Sequence, residues 1–258
     1  MSLKISIVTV SYNSGKTIED TIKSILAQKY DNYEHIIVDG ASKDNTIDII
    51  KKYEKKYKGK LKYISEKDKG LYDAMNKGIK MATGDVIGLL NSDDVYASDN
   101  VLSLINKNLE KSEYDGVHAD LLYVSEDLKE PKRKWVAKEG KIKNGWMPAH
   151  PTLYLKREVY EQKGLYDLHF KIVSDFDFIV RVCNDENIKL KYIPENLIYM
   201  RLGGVSSAGI KGYIKNVKEA NRVLKHNNVK FSEFVIFRRF IKTVLQYAKA
   251  KFMRGDLK

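Results

Sequence analysis

The sequence has little cysteine and no long apolar run. Cys183 is the only cysteine among 258 residues, so no disulfide can form within the chain. No run of about 18 or more uncharged apolar residues occurs, and the sequence therefore predicts no membrane-spanning helix. Residues 1–13 hold a short apolar run without a small-residue cleavage site, which favours a buried strand over a signal peptide. We therefore expect a cytoplasmic protein.

The two common glycine-rich phosphate-binding motifs are also absent. Residues 15–17 match the end of a P-loop, but Val10 occupies the position where that loop requires its first glycine. No Gly-x-Gly-x-x-Gly sequence follows a predicted strand. These absences exclude the P-loop and the dinucleotide-binding fingerprint.

Positive charge is in excess and is concentrated at the C-terminus. The chain has 46 basic and 34 acidic residues, a formal net charge of +12. Residues 230–258 contain eight basic and two acidic residues, so half of the net charge lies there. This balance predicts an anionic partner, whether phosphate, a lipid head group or nucleic acid. We expect no nucleic acid partner, because the basic residues form no recognised motif and have no interleaved aromatic stacking platform.

Apolar strand patterns alternate with amphipathic helical patterns in the first part of the chain. Strands are predicted at 5–10, 36–38, 61–65 and 86–90, with helical periodicity between them. The alternation predicts an α/β fold with a mostly parallel sheet and helices on both faces. The pattern is less regular beyond, with strands at 117–124 and 190–199 and an unassigned stretch at 125–147. Residues from 211 onward are predicted to form C-terminal helices.

Polar residues follow each of the first four predicted strands. In an open parallel sheet the ligand site lies beyond the carboxyl ends of the strands, which is where these residues stand. They are Ser11, Tyr12 and Asn13, then Asp39, then Glu66 and Asp68, and finally residues 91–94. Acidic and amide side chains delivered to one rim by four strands predict a binding site there.

The acidic pair Asp93 and Asp94 follows the fourth strand. Adjacent carboxylates raise each other's pKa unless a cation or a hydrogen-bond donor shares the negative charge. A hard divalent ion such as Mg²⁺ or Mn²⁺ binds one or two carboxylates and keeps positions for water and phosphate oxygens. The same residues suit a turn before the helix predicted around 101–109, so the motif alone leaves both interpretations open.

Three further residues have both a structural and a functional interpretation. Asp39 is not needed as a helix cap, because Asp44 or Thr46 suffices, but Asp-Gly is also common turn chemistry. His150 lies between two prolines in a loop that the sheet can direct toward the site. Asp175 stands at the start of an amphipathic helix, where an acidic residue suits the helix dipole without any catalytic role.

Taken together, these segments resemble the family 2 glycosyltransferases with the GT-A fold. Residues 11–13, 39–46, 65–78 and 91–94 occur in that family's order and spacing, and residues 164–167 with 174–175 are similar to its acceptor-side motif. The resemblance covers about residues 3–207 and rests on the ordered set rather than on one motif. It implies a GT-A catalytic domain over 1–209, with a nucleotide-binding half to about 97 and an acceptor half from 98. Residues 210–258 would form a C-terminal helical extension.

The resemblance also implies roles for individual residues. Tyr12 and Asp39 would hold the nucleotide base, by stacking and by accepting a hydrogen bond from a base N–H. Asp93 would contact the ribose or the metal, and Asp94 would ligate the Mn²⁺ or Mg²⁺ that bridges the diphosphate. Asp175 would be the general base that deprotonates the acceptor hydroxyl. The predicted nucleotide site also includes Asp68, Lys69 and Asn76, and the predicted acceptor-side lining includes His150, Asp73 and Arg201.

Two positions depart from the family's pattern. Asn91 stands where many relatives have Asp, which leaves fewer carboxylates for a metal. Ser174 stands where many relatives have Glu, which makes Asp175 the better candidate for the base. The chain also lacks the Gln-x-x-Arg-Trp signature and the membrane helices of the processive synthases, so we expect one sugar to be transferred per encounter.

The expected reaction is therefore inverting transfer of a single sugar from a nucleotide diphosphate sugar to an acceptor hydroxyl. A UDP-sugar is favoured over a GDP-sugar as the donor, and the expected acceptor is a glycan or lipid-linked glycan of a surface polysaccharide. The alternative enzyme is a sugar-phosphate nucleotidylyltransferase. That enzyme requires a glycine-rich basic loop after the first strand, which residues 11–14 do not provide.

An amphipathic pattern marks the basic C-terminal tail. Its apolar residues recur at steps of three and four and predict a helix; they are Phe234, Phe237, Ile241, Val244, Ala248 and Phe252. This stripe favours packing on the catalytic domain. The basic side would then face an anionic membrane surface, so residues 231–258 are also predicted to hold the protein peripherally on the inner face of the membrane.

Overall fold

The computed structural model of the chain describes residues 2–202 and 209–241, except for the side chains of 209–215, and contains a nine-stranded sheet. The strands are β1 (Ile5–Ser11), β2 (Tyr33–Asp39), β3 (Leu61–Ser65), β4 (Val86–Leu89), β5 (Val95–Tyr96), β6 (Gly116–Val124), β7 (Pro131–Trp135), β8 (Tyr154–Lys156) and β9 (Leu190–Arg201). Their order in the sheet is β3-β2-β1-β4-β8-β6-β9-β5, and β7 pairs with β6.

The sheet is mostly parallel. Strands β3, β2, β1 and β4 run in the same direction, and β8 pairs antiparallel with both β4 and β6. Strand β9 runs parallel to β6, while β5 and β7 are antiparallel additions to β9 and β6. The carboxyl ends of β1 to β4 therefore meet at one edge, as the alternating sequence pattern predicts.

Helices cover both faces of the sheet. They are α1 (Ile18–Leu26), α2 (Thr46–Glu54), α3 (Leu71–Met81), α4 (Val101–Leu109), α5 (Arg157–Lys163), α6 (Ser174–Cys183) and α7 (Gly209–His226). Helices α1, α2 and α4 pack on one face, and α3, α5, α6 and α7 on the other. Strand β1 carries apolar side chains on both of its faces. Ile5 and Ile7 point into one core and Val8 and Val10 into the other.

Two details differ from the sequence-based expectations. The unassigned stretch 125–147 contributes β7 and a short 3₁₀ helix at Ile142–Asn144. The position of Gly84 after the helical pattern of Leu71, Met75 and Ile79 predicts a C-terminal cap for α3, but the helix ends at Met81 and Ala82 is extended. A Cβ on Gly84 would lie 2.6 Å from the Lys4 carbonyl oxygen, so glycine is needed there for close packing on the strand rather than for a left-handed turn.

The C-terminal region continues the helical structure. Residues 232–241 are helical, and within the described residues no helix is long and apolar enough to cross a membrane. Phe234, Phe237 and Ile241, predicted to pack on the domain, are exposed, because the helix turns Val235 inward instead. Val244, Ala248 and Phe252 lie outside the described residues.

Candidate active site

The last residues of β1, β2 and β3 lie side by side in the sheet. Ser11 is in register with Asp39, and Asp39 with Ser65. The Asp39 carboxylate is fully buried and accepts hydrogen bonds from Ser11 Oγ (3.0 Å) and Ser65 Oγ (2.7 Å). It also accepts from the Ser42 N–H (2.9 Å) and hydroxyl, so four donors occupy its lone pairs. Asp39 therefore fixes the loop after β2, and its contact with a nucleotide base stays a prediction.

Tyr12 and Asp68 flank the turn that follows β2. Tyr12 is 63% exposed, which leaves its ring open to stack on a planar ligand. A Cβ built on Gly40 would lie 2.7 Å from Asp68 Oδ2 and 3.3 Å from Tyr12 Cδ2. Glycine at this position thus lets both side chains approach the same turn. The structure brings these two predicted nucleotide-binding residues together.

The acidic pair lies in a tight turn after β4. Asp94 is fully buried, and its Oδ2 accepts a hydrogen bond from Asn91 Nδ2 at 3.2 Å. Asp94 Oδ1 has no hydrogen-bond partner in the part of the chain that the structure describes. Burial, reinforced by the neighbouring Asp93 charge, raises the pKa of Asp94 well above its ordinary value. Burial also raises the pKa of Asp93, so the positive charge near the pair does not fully compensate the two carboxylates.

Arg201 approaches this turn from the end of β9. Its guanidinium is almost fully buried and donates to the Asp93 carbonyl oxygen (2.6 Å), the Glu126 carbonyl oxygen (2.8 Å) and Asp20 Oδ2 (2.5 Å). The positive charge lowers the pKa of Asp93 and Asp94, but burial has the larger effect on both. Arg201, predicted as a lining residue, thus holds the backbone of the acidic turn.

The donor set at this turn fits a divalent cation whose coordination is completed by phosphate. Within the described residues, no group of three or more His, Cys, Asp or Glu side chains could hold a metal ion. Mg²⁺ characteristically uses one or two carboxylates together with water and substrate phosphates. The unpartnered Asp94 Oδ1 and the adjacent Asp93 carboxylate supply that number. Ser92 Oγ lies 2.8 Å from Ser14 Oγ, so the acidic turn adjoins the loop that carries Tyr12.

Asp175 is held in the first turn of α6 by a tyrosine from the other half of the protein. The Tyr72 hydroxyl lies 2.9 Å from Asp175 Oδ1 and 2.7 Å from the Ile172 carbonyl oxygen. Burial, with the nearby Asp175 charge, raises the pKa of Tyr72, so its hydroxyl stays protonated and donates. Because Tyr72 lies in the first turn of α3, just beyond the carboxyl end of β3, Asp175 lies at the same rim as Asp39 and Asp68.

Asp175 lies in the first turn of α6, where its charge suits the helix dipole as the sequence predicts, but it does not cap the helix. The residue at the N-cap position is Val173, and α6 has no side-chain cap. Asp175 Oδ1 accepts the N–H of the following residue, Phe176, at 2.8 Å. Asp177, the next acidic residue, is buried and accepts from Arg181 Nε and Asn227 Nδ2, both at 2.8 Å. Of these two carboxylates, Asp175 is the one that is partly exposed.

A histidine and a tyrosine lie behind Asp175. His150 Nε2 is 2.7 Å from the Tyr166 hydroxyl, and burial lowers the pKa of His150 although the Asp175 charge opposes this shift. Asn76 pairs with the backbone of Tyr166 through both ends of its amide, each at 2.9 Å. The prediction that Asn76 binds the nucleotide does not fit this geometry. Its amide is buried and fastens the loop 164–173 to α3 instead.

Asp73 and Lys69 belong to the turn before α3. Asp73 Oδ2 accepts the Lys69 N–H at 2.9 Å and lies 3.9 Å from Lys77 Nζ. Lys69 is exposed at the mouth of this turn. Both residues therefore lie on the segment that joins Asp68 to Tyr72, between the predicted nucleotide side and Asp175.

Sequence reasoning assigned no role to several residues that organise the site. Ser42 and Ser65 satisfy Asp39, while Tyr72 and Tyr166 support Asp175 and His150. All four stand within or beside the motif segments 39–46, 65–78 and 164–167. Their place in these motifs is the feature of the sequence that could have indicated a role in the site. Only the structure identifies the hydrogen-bond partner of each side chain.

The fold is that of the GT-A glycosyltransferases. TarS of S. aureus, residues 1–349 in complex with UDP-GlcNAc, matches with a TM-score of 0.67 at 19% identity, over 86% of this chain and 66% of that chain. Mannosyltransferase PcManGT from Pyrobaculum calidifontis, in complex with GDP-Man and Mn²⁺, matches with a TM-score of 0.64 at 15% identity. The match covers 98% of this chain and 79% of that chain. At these identities the two structures establish the fold.

The chain belongs to glycosyltransferase family 2. The model for "Glycosyl transferase family 2" matches residues 6–179. An uncharacterized glycosyltransferase of Mycobacterium tuberculosis is 31% identical over 197 residues, which are 72% of this chain and 72% of that protein. The family resemblance drawn from the ordered motifs is therefore confirmed.

Proposed function

We propose that this glycosyltransferase moves a single sugar from a UDP-sugar to an acceptor hydroxyl with inversion at the anomeric carbon. The observation that carries the proposal is the presence at one rim of two different acidic sites. Asp94 is buried and Asp93 is partly buried, and Arg201 offsets their negative charge only in part, whereas Asp175 is partly exposed and held by Tyr72. Such a division suits a charged leaving group on one side and a hydroxyl nucleophile on the other.

The donor would bind along the carboxyl ends of β1 to β4, within residues 1–97. The exposed Tyr12 ring would stack on the base, while Asp68 and Lys69 line the same opening. Asp94 Oδ1 and the Asp93 carboxylate would hold a Mn²⁺ or Mg²⁺ ion, which when bound neutralises charge on the leaving diphosphate. UDP-GlcNAc in TarS and GDP-Man in the mannosyltransferase indicate that this fold accepts either nucleotide.

Asp175 would activate the acceptor, which would lie within the half formed by residues 98–209. Its carboxylate takes the hydroxyl proton as the acceptor oxygen bonds to the anomeric carbon and the bond to the diphosphate oxygen breaks. The proton remains on Asp175, and direct displacement inverts the anomeric centre. A general base in this position contributes about 10²–10⁴-fold to the rate. His150 and Tyr166 would line the acceptor side.

We further propose that the acceptor is a glycan or lipid-linked glycan, such as a precursor of a surface polysaccharide. A lipid-linked acceptor would require the enzyme to work beside a membrane. The excess positive charge of the C-terminal tail is consistent with peripheral binding to the inner face of an anionic membrane.

Replacing Asp175 with Asn tests this proposal. UDP binding in Mn²⁺, measured by calorimetry, should remain within about twofold, while turnover falls by about 10²–10⁴-fold. Asp185→Asn, at the other end of α6, is the matched control and should retain the parental rate. NMR of the anomeric proton in the product would establish inversion. Transfer at close to the parental rate by the Asp175 variant would show that another group is the base.

A further inference from the structure

The helical segment 232–241 packs on the domain through its less apolar side. Val235 is buried, and a Cβ on Gly145 would lie 2.9 Å from Arg238 Cβ and 3.0 Å from the Arg239 nitrogen. Gly145 has φ +67°, so its left-handed turn and missing side chain both permit this close approach. The Arg239 guanidinium lies 3.9 Å from the centroid of the Phe176 ring. Arg239 therefore packs against the domain, although the sequence predicts that the apolar stripe of the tail does so.

The apolar side of the same segment faces away from the domain. It consists of exposed residues at three- and four-residue steps together with the residue that precedes the helix. These are Phe231 (80% exposed), Phe234 (51%), Phe237 (57%), Phe240 (46%) and Ile241 (40%). Half of the ten exposed large apolar residues of the described chain thus fall within eleven positions. We call this set the phenylalanine face.

Positive charge borders the phenylalanine face. Lys230 and Arg238 are both exposed, and the Arg238 guanidinium lies 4.3 Å from the centroid of the Phe234 ring. The sequence beyond the described helix adds further basic residues, namely Lys242, Lys249, Lys251, Arg254 and Lys258, against one acidic residue, Asp256. Aromatic side chains with a basic border are the composition of a helix that lies in the interface of an anionic bilayer.

The helix that carries the phenylalanine face packs on the acceptor side of the site through its opposite side. The segment contacts Phe176 in α6, directly after Asp175, and the Arg239 guanidinium donates to Met147 Sδ at 2.8 Å, three residues before His150. A membrane bound to this face would therefore be separated from the side where the proposed acceptor lies by the thickness of one helix, about 10 Å. A sugar acceptor on a lipid carrier would be presented from that membrane.

We propose that the phenylalanine face is a docking surface for an anionic lipid bilayer and that it positions the enzyme over a lipid-linked acceptor. The second part rests on the proposed function, whereas the first does not. A second copy of this chain fits the face poorly, because pairing would bring two basic borders together. Lipid head groups of negative charge neutralise the border while the rings enter the interfacial region.

Vesicle co-sedimentation of the full chain tests the docking surface. The protein should bind vesicles of phosphatidylcholine with about 30% phosphatidylglycerol more strongly than pure phosphatidylcholine, and raising salt should weaken this binding. The triple variant Phe234→Ser, Phe237→Ser, Phe240→Ser should lose more than about tenfold in partition coefficient, since each ring leaves water on binding. Val136→Ser, at an exposed apolar position outside the segment, is the matched control and should bind as the parent does.

Three results would overturn the docking surface. The first is that the triple variant and the parent bind anionic vesicles equally, and the second is that the parent binds neutral and anionic vesicles equally. The third is that the parent forms a dimer in analytical sedimentation and the triple variant does not. Circular dichroism must first show that the triple variant is folded; if it is not, Phe234→Ser alone provides the comparison. Asp175→Asn should bind vesicles like the parent, which separates membrane docking from the proposed catalysis.

Discussion

Replacing Asp94 with Asn should stabilise the metal-free protein and remove its response to a divalent cation. The Asp94 carboxylate is fully buried beside Asp93, and its Oδ1 has no partner among the described residues. Asparagine has nearly the same shape, keeps an oxygen to accept from Asn91 Nδ2 and carries no charge. The substitution removes a buried negative charge, although the amide NH₂ then takes the place of the unpartnered oxygen, so we expect a gain of about 1–3 kcal/mol in the free energy of unfolding at neutral pH.

The pH dependence of this gain follows from the direction of the pKa shift. The folded protein holds the Asp94 proton more tightly than the unfolded chain does, because burial raises the pKa above its ordinary value of 3.8. The destabilisation is therefore absent below that ordinary value and grows as the pH rises toward the folded-state pKa. The advantage of the variant should be largest at neutral pH and above, and should vanish in acid.

Differential scanning fluorimetry in EDTA, and in Mn²⁺ with UDP, measures both effects. Each kcal/mol corresponds to about 2–4 °C in melting temperature for a chain of this size. Ligand at 100 times its Kd stabilises a protein by about 2.7 kcal/mol, and this increment should appear in the parent but not in the variant. Asp99→Asn, an exposed carboxylate paired with Lys29, is the control. The reasoning fails if Asp94→Asn melts below the parent in EDTA or responds equally to Mn²⁺ and UDP.

Two further substitutions test the hydrogen bonds at the rim. Tyr72→Phe removes the hydroxyl that donates a hydrogen bond to Asp175. Because hydrogen bonds to charged groups contribute about 1.5–3 kcal/mol, kcat should fall by about tenfold or more while the KM for the nucleotide sugar changes little. A kcat equal to that of the parent would show that Tyr72 does not position Asp175. Asp39→Asn leaves part of the Ser11, Ser42 and Ser65 donor set unsatisfied and should lower the free energy of unfolding in urea by about 1–3 kcal/mol. The exposed Asp31→Asn is its control, and equal urea midpoints would contradict the structural role of Asp39.

The sequence predicted the sheet and the rim well because both depend on local patterns. Apolar runs such as those in β1 and β2 mark strands buried on two sides, and the parallel topology carries the ends of β1 to β4 to one edge. Tyr12, Asp68, Asp93 and Asp94 follow those ends directly. Their placement at the rim required no knowledge of distant contacts.

Local patterns in the sequence did not predict the contacts between α3 and residues 164–175. Asn76 and Tyr166 are 90 positions apart, and Tyr72 and Asp175 are 103 apart. Nothing in the spacing of either segment indicates that an amide will pair with a distant backbone rather than with a nucleotide. That outcome depends on how α3 packs against the loop before α6.

The C-terminal helix likewise has some features that the sequence determines and others that only the tertiary structure determines. The sequence determined that the segment around residues 232–241 forms an amphipathic, basic helix, because periodicity and charge are properties of the segment itself. The tertiary structure decided which side faces the domain. The close fit at Gly145 and the contact of Arg239 with Phe176 turn the phenylalanines outward, and periodicity alone carries no information about either partner.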